Sequence, residues 1–197
     1  MADASQRMGP SASRLLDTPS LSADCSRCAS LCCRYLAFDR SASFGFDKAA
    51  GESCRHLLAN HRCRIHARRA DVGFSGCVSY DCYGAGQVAT ALFADRLGET
   101  DATLSSDLAG AFSLLRDVHE LLLLLRATAA LQLGPQQRAQ QLALQHLLAP
   151  EFGWSRHALR EFELPRVRAA VVGFLAGLRA EGRALRRTLQ VLPHRRG

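Results

Sequence analysis

Eight cysteines stand at Cys25, Cys28, Cys32, Cys33, Cys54, Cys63, Cys77 and Cys82, and no cysteine follows Cys82. The run opens with Cys-x2-Cys-x3-Cys-Cys and closes with the Cys77-x4-Cys82 pair. Two close pairs separated by intervening chain are what a tetrahedral thiolate site requires. Each pair pins a short turn whose amides can face the sulfurs, and a metal then joins segments distant in sequence. Zinc takes Cys and His in this geometry, an iron-sulfur cluster takes four thiolates, and ligand softness alone does not separate the two. The x2-then-x3 order is neither the x3-then-x2 order of radical enzymes nor the two successive x2 gaps of a ferredoxin run.

His56, His61 and His66 lie among the cysteines, and His66, three residues after Cys63, is the one best placed to replace a thiolate. Taken singly, each reads first as an exposed or hydrogen-bonded hairpin histidine. Two other motifs fail on context. Gly84-Ala85-Gly86-Gln87-Val88-Ala89 fits the G-x-G-x-x-A pattern, but a long helix follows where a dinucleotide fold needs a second strand and an acidic residue. His119-Glu120 begins like a zinc-protease helix, yet position 123 is Leu where the second His is needed. His146 reads as a core histidine and Trp154 as a loop anchor.

The elements that must position these residues change character along the chain. Met1 to Asp24 is a polar tail with no apolar segment of the kind a secretory signal carries. The cysteine region is rich in turn residues, with Phe44 to Asp47, Cys63 to His66 and Cys77 to Tyr80 as short extended segments. From Gly86 the pattern becomes helical, with Ala89, Phe93 and Leu97 on one face and Gly98 as C-cap. Leu104, Leu108, Phe112, Leu115, Val118, Leu122 and Leu125 recur every three or four residues, which predicts a long helix from Thr103 to Leu133. Gly134-Pro135 ends it and starts the next, Gln136 to Leu148, with its glutamines opposite Leu142, His146 and Leu147. Pro165 opens a last helix carrying Val167, Val171, Phe174, Leu178 and Leu185.

These readings predict an α+β, mainly α architecture: a flexible tail over 1–23, a cysteine-cluster metal-binding module with short strands over 24–84, and an antiparallel helical bundle over 85–197. The 197 residues, 48% hydrophobic and 22% charged, suffice for one domain or two small ones. The cysteine module alone is small enough to need metal or disulfide support.

No stretch reaches the ~18 apolar residues of a transmembrane helix, and membrane association is not expected. Without a signal, the thiols are expected reduced in the cytosol, where metal or redox chemistry is their ordinary use. The formal charge is +7, and Lys48 is the single lysine, every other basic residue being Arg. The Arg clusters at Arg62, Arg64, Arg68 and Arg69 and at Arg183 to Arg187 with Arg195 and Arg196 are too dispersed for a concentrated phosphate-binding patch. Solvated Arg faces are the expectation, with nucleic acid held as an alternative partner.

Cys25-x2-Cys28-x3-Cys32-Cys33, Cys54-Arg-His-Leu57, Cys63-Arg-Ile-His66 and the Cys77 and Cys82 pair together resemble a bacterial cysteine-cluster domain associated with zinc or iron chelation. The likeness covers about residues 24 to 82, with His66 where Tyr is commoner and Arg68-Arg69-Ala70 where Arg-Pro usually follows. A longer resemblance, through Asp81 to Gln87 and Arg116 to Leu122, is to the N-terminal region of actinomycete proteins that continue into pentapeptide repeats, which this chain lacks. The resemblance implies a cysteine-cluster domain followed by helices, with a metal role and no defined activity; the candidate ligands are Cys25, Cys28, Cys32 or Cys33, and members of the group Cys54, Cys63, Cys77 and Cys82, with His66 as an alternative ligand. The expected function is a cytosolic metal-binding protein, holding zinc, iron or an iron-sulfur cluster, with helices for a protein partner. The alternatives are a redox or cluster-dependent enzyme and a regulatory nucleic-acid-binding module.

Overall fold

In the computed structural model, residues 19–97 and 102–178 are described. The helices are α1 (Leu31–Tyr35), α2 (Ser75–Ser79), α3 (Ala85–Leu92), α4 (Ala102–Ala127), α5 (Pro135–Leu148), α6 (Arg156–Arg160) and α7 (Leu164–Gly177). Short 3-10 turns occupy Cys25–Arg27, His66–Arg68 and Thr128–Ala130. Residues 1–18 of the expected tail, the Gly98 cap, Leu185 and the C-terminal Arg cluster lie outside the described residues.

The α+β expectation is corrected: the described residues are all-α with irregular loops. They contain no strand, only three isolated antiparallel bridges, Phe38 with Lys48, Ser41 with Phe44, and Leu57 with Cys63. The aromatic residues that suggested strands instead pack on one another. Phe38 and Phe44 stack with ring centroids 4.4 Å apart, and Phe74 meets Phe46 at 5.1 Å and His56 at 5.0 Å, both edge-on. Such pairs stabilise a small core by about 0.5–1.5 kcal/mol each beyond area burial, without a ladder. Cys77, expected in an extended segment, lies in α2. Gly76 permits that packing, since a Cβ there would meet the Phe44 ring at 2.3 Å.

Helix α4 is the spine of the molecule, and its predicted stripe is buried throughout: Leu104, Leu108, Phe112, Leu115, Val118, Leu122 and Leu125 are all core residues. Its N-terminal half packs with Ala29, Leu31, Ala85, Ala89 and Phe93, so the cysteine loops are covered by α3 and α4. Its C-terminal half packs with Leu144 and Leu148 of α5 and Val167, Val171, Phe174 and Leu175 of α7. Leu114 touches both clusters, and an Arg168–Asp117 ion pair at 3.1 Å ties α7 to α4.

The end of α4 differs from expectation, since it stops at Ala127 and does not run on to Leu133. Gln141 gives the physical reason. Its Nε2 donates to the Leu125 carbonyl (3.1 Å) and to Thr128 Oγ1 (2.6 Å), satisfying groups at a helix C-terminus that would otherwise lack partners. The face of α5 is correspondingly reversed. Gln141 and Gln145 are buried with Leu144 and Leu148, whereas His146 and Leu147 are exposed, so His146 is not a core histidine.

Candidate metal centre

Three chain turns and the start of α3 carry or flank the cysteines. Asp24 caps the turn carrying Cys25, its Oδ1 accepting from the Ser26 N–H at 2.9 Å. Ser30, with φ 57°, turns the chain into α1, which carries Cys32 and Cys33, and its hydroxyl donates to the His61 carbonyl. The loop between Cys54 and Cys63 closes through Leu57 N–H to the Cys54 carbonyl and is tied to α1 by Cys54 N–H to the Cys33 carbonyl, both 2.9 Å. Arg62 fastens the same loop to the first turn, donating to the carbonyls of Cys25 and Ser26.

At the far end, Asp81 Oδ1 accepts from Tyr83 N–H (2.7 Å), and Tyr83 and Gly84 both adopt the left-handed conformation, φ 51° and 78°. Gly84 is required there, because a Cβ would lie 2.5 Å from the Ser20 carbonyl oxygen. The backbone N–H groups of Gly86 and Gly84 in this turn work against the rise that burial causes in the Cys82 pKa. Leu31 N–H, the Thr90 hydroxyl and Ser30 N–H likewise work against the rise that burial causes in the Cys28 pKa. Thr90 Oγ1 accepts from Ala29 N–H at 3.0 Å.

Gly86 separates these two sulfurs. A Cβ on Gly86 would sit 2.8 Å from Cys28 Sγ and 3.6 Å from Cys82 Sγ, so the thiols are no further apart than the sum of those distances. The Gly84-x-Gly86 motif therefore serves close approach of α3 to two cysteines, and no dinucleotide fold surrounds it.

All eight cysteines are free thiols, Cys25 exposed and the rest half-buried. Burial pushes the Cys25, Cys28 and Cys82 thiols up, and Cys77 up to about 11. Neighbouring cysteines add to the rise: Cys32 and Cys28 at Cys25, and Cys32, Cys54 and Cys63 at Cys77. Cys32 is raised first by its hydrogen bond with Cys33 and then by burial. The nearby N–H groups oppose the rise at Cys28 and Cys82. Thiols held this way remain protonated by themselves, and a cation among them inverts that preference by favouring the thiolates.

Among the described residues no group of three Cys, His, Asp or Glu side chains stands in a metal-ligating arrangement. What the described residues offer is the donor set: eight unbridged thiols, two of whose sulfurs lie close to Gly86. The histidines do other work. His56 packs on Phe74 and Phe46, His61 Nδ1 meets Arg34 Nη2 at 2.7 Å, and His66 is exposed.

Three residues that sequence reasoning did not place at the site belong to it. Lys48 is only 3% exposed; its Nζ donates to the carbonyls of Leu36 (2.5 Å) and Ala49 (3.3 Å). Burial lowers its pKa, opposed by Cys54, Cys33 and Cys32. Its being the single lysine was the available signal. His119 is fully buried and donates from Nδ1 to the Tyr83 carbonyl at 2.6 Å, steadying the Cys82 turn. Thr90 gave no signal beyond its position on α3.

No protein-family model matches the chain, and no solved structure matches it. One curated relative, "Uncharacterized protein YybG" of Bacillus subtilis (strain 168), is 38% identical over 103 residues. That match takes in 52% of this chain and 37% of the relative, so the chain spans little more than a third of that protein's length.

Proposed function

We propose that this chain is a cytosolic metal-binding protein in which the eight cysteines hold zinc, iron or an iron-sulfur cluster, while the helices serve a protein partner. The observation that carries the reading is the pair of sulfurs, Cys28 and Cys82, both beside Gly86, with nearby backbone N–H groups working against the burial that raises each thiol's pKa. Such donors stabilise thiolate over thiol, and a soft divalent cation completes the charge balance. A disulfide framework would use the same residues differently, but all eight thiols are free. No helix of the described residues is long and apolar enough to cross a membrane.

The test is metal analysis and visible absorption of anaerobically purified protein, together with alkylation in the absence of reductant. Stoichiometric zinc or iron and thiols that become fully alkylable after chelation are expected. Metal-free protein that does not take up added Zn²⁺ or Fe²⁺, or cysteines that alkylate only after reduction, would overturn the reading.

A further inference from the structure

We infer that Pro19 to Asp24 form a clasp that holds Cys28 beside Cys82, and that its release from α3 and α4 opens both thiols to reagents. The inference goes beyond the metal-binding reading and does not depend on it, since it concerns access to the two sulfurs and not what they hold.

Pro19 to Asp24 belong to no helix or strand, so side chains of other elements must hold them in place. Arg126, near the end of α4, donates from Nη2 to the Pro19 carbonyl at 2.8 Å. Gln87 on α3 grips two points at once, its Nε2 donating to the Ser22 carbonyl at 2.9 Å and its Oε1 accepting from the Asp24 N–H at 3.0 Å. Between these grips, Leu21 is partly buried against the core that α4 shares with α5 and α7. Ala29, a few residues on, is buried in the other core, with Ala85 and Ala89. The segment therefore crosses from one core to the other. On the way it lies against the turn after Cys82, where a Cβ on Gly84 would meet the carbonyl oxygens of Ser20 at 2.5 Å and Ser22 at 3.3 Å.

Gln87 directly follows Gly86, whose Cβ position stands against both sulfurs. Asp24, gripped by Gln87, caps the turn that leads to Cys28 by accepting from Ser26 N–H. Thr90, three residues further along α3, accepts from Ala29 N–H at 3.0 Å. Cys28 is thus fixed against α3 from both sides. A segment with one apolar anchor and a few neutral hydrogen bonds belongs to the low end of local stability, so it opens before the cores do. Cys54 and Cys77 are held by other contacts, Cys54 N–H to the Cys33 carbonyl at 2.9 Å and Arg69 to the Cys77 carbonyl at 3.0 Å. Release of the clasp should not reach them.

The test is the rate at which N-ethylmaleimide alkylates each cysteine, mapped by mass spectrometry, in reduced full-length chain with chelator present. Where opening and closing outpace alkylation, the rate follows the open population. Gln87→Ala removes two hydrogen bonds and Leu21→Ala the apolar anchor, so each should raise the rates at Cys28 and Cys82 about tenfold. Cys54 and Cys77 should be unchanged. A rise shared by all four cysteines, or none at Cys28 and Cys82, would overturn the inference. Wild-type protein decides even where a variant fails to fold: in hydrogen exchange, the Asp24 and Ala29 amides should show equal protection and exchange before those of α4. An Ala29 amide protected about tenfold or more beyond that of Asp24 would mean that the segment opens without freeing the Cys28 turn, which also overturns the inference. Because chelator is present throughout, these outcomes stand whether or not the purified protein carries metal.

Discussion

Gly86→Ala tests the close approach at the centre of the site. In an ordinary helix interior this change stabilises by about 1 kcal/mol, through lost backbone freedom in the unfolded chain. At Gly86 the added methyl meets Cys28 Sγ at 2.8 Å, below the range of real Cβ contacts, and Cys82 Sγ at 3.6 Å. Overpacking of this kind costs about 1–3 kcal/mol, which cancels the propensity gain or exceeds it. The result for metal-free protein is a change between about zero and 2 kcal/mol destabilising. Gly110→Ala is the internal control, because nothing lies within 4 Å of its Cβ position on α4, and it should stabilise by about 1 kcal/mol.

The two variants should therefore differ by about 1–3 kcal/mol in urea unfolding under reducing, chelating conditions. Metal affinity should separate them further. Forcing the Cys28 and Cys82 sulfurs apart should weaken Zn²⁺ about 10–100-fold in chelator competition, the usual scale for disturbed ligand orientation, while Gly110→Ala leaves it unchanged. If Gly86→Ala stabilises as much as Gly110→Ala and binds Zn²⁺ as wild type does, the proximity argument is wrong.

Lys48→Met strands the carbonyls of Leu36 and Ala49 and should destabilise the metal-free chain by about 1–3 kcal/mol in urea; an unchanged midpoint would show that those bonds contribute nothing. Gln141→Leu should cost a similar ~1–3 kcal/mol by unfreezing the end of α4 from α5, yet leave Zn²⁺ stoichiometry intact, and a loss of metal would contradict the separation of the two cores. Burial lowers the His119 pKa below its ordinary 6.5, with Arg126 adding to the shift and the Tyr83 carbonyl opposing it. The unfolded chain then takes up the proton first, so the stability contribution is complete above 6.5 and is lost as pH falls toward the folded value. His119→Gln should flatten that decline below the ordinary histidine pKa, measured by urea unfolding of metal-free protein; an unaltered slope would place the titration elsewhere.

How much of this was legible in the sequence depended on which interaction set the local structure. The α4 stripe was readable because burial repeats at the helical period, and Leu104 through Leu125 follow it. The face of α5 was not, because hydropathy assigns Gln141 to solvent, whereas a carbonyl at the end of α4 recruits it to the interior. The strands failed for a related reason. Phe44, Phe46 and Phe74 have strand propensity, but rings packed edge to face satisfy it without a ladder. The cysteine spacing named candidate ligands and was silent on how they meet in space. That depends on contacts spanning long stretches of sequence, such as Gly86 beside Cys28.

The basic residues show the same limit from the side of charge. A formal +7 with Arg62, Arg64, Arg68 and Arg69 close in sequence suggested a phosphate-binding patch as one alternative. In the fold, Arg62 is directed to the carbonyls of Cys25 and Ser26, Arg64 to that of Arg55, and Arg69 to those of His66 and Cys77. Arg34 similarly meets Ala29 and His61. A guanidinium offers five donors in a fixed fork, so it can hold two carbonyls of an irregular loop that has no ladder of its own. The cations thus brace the turns that present the sulfurs, and at the same time oppose the negative charge that ionised thiols would create. Charge that looks outward-facing in composition is in this module directed largely at its own backbone.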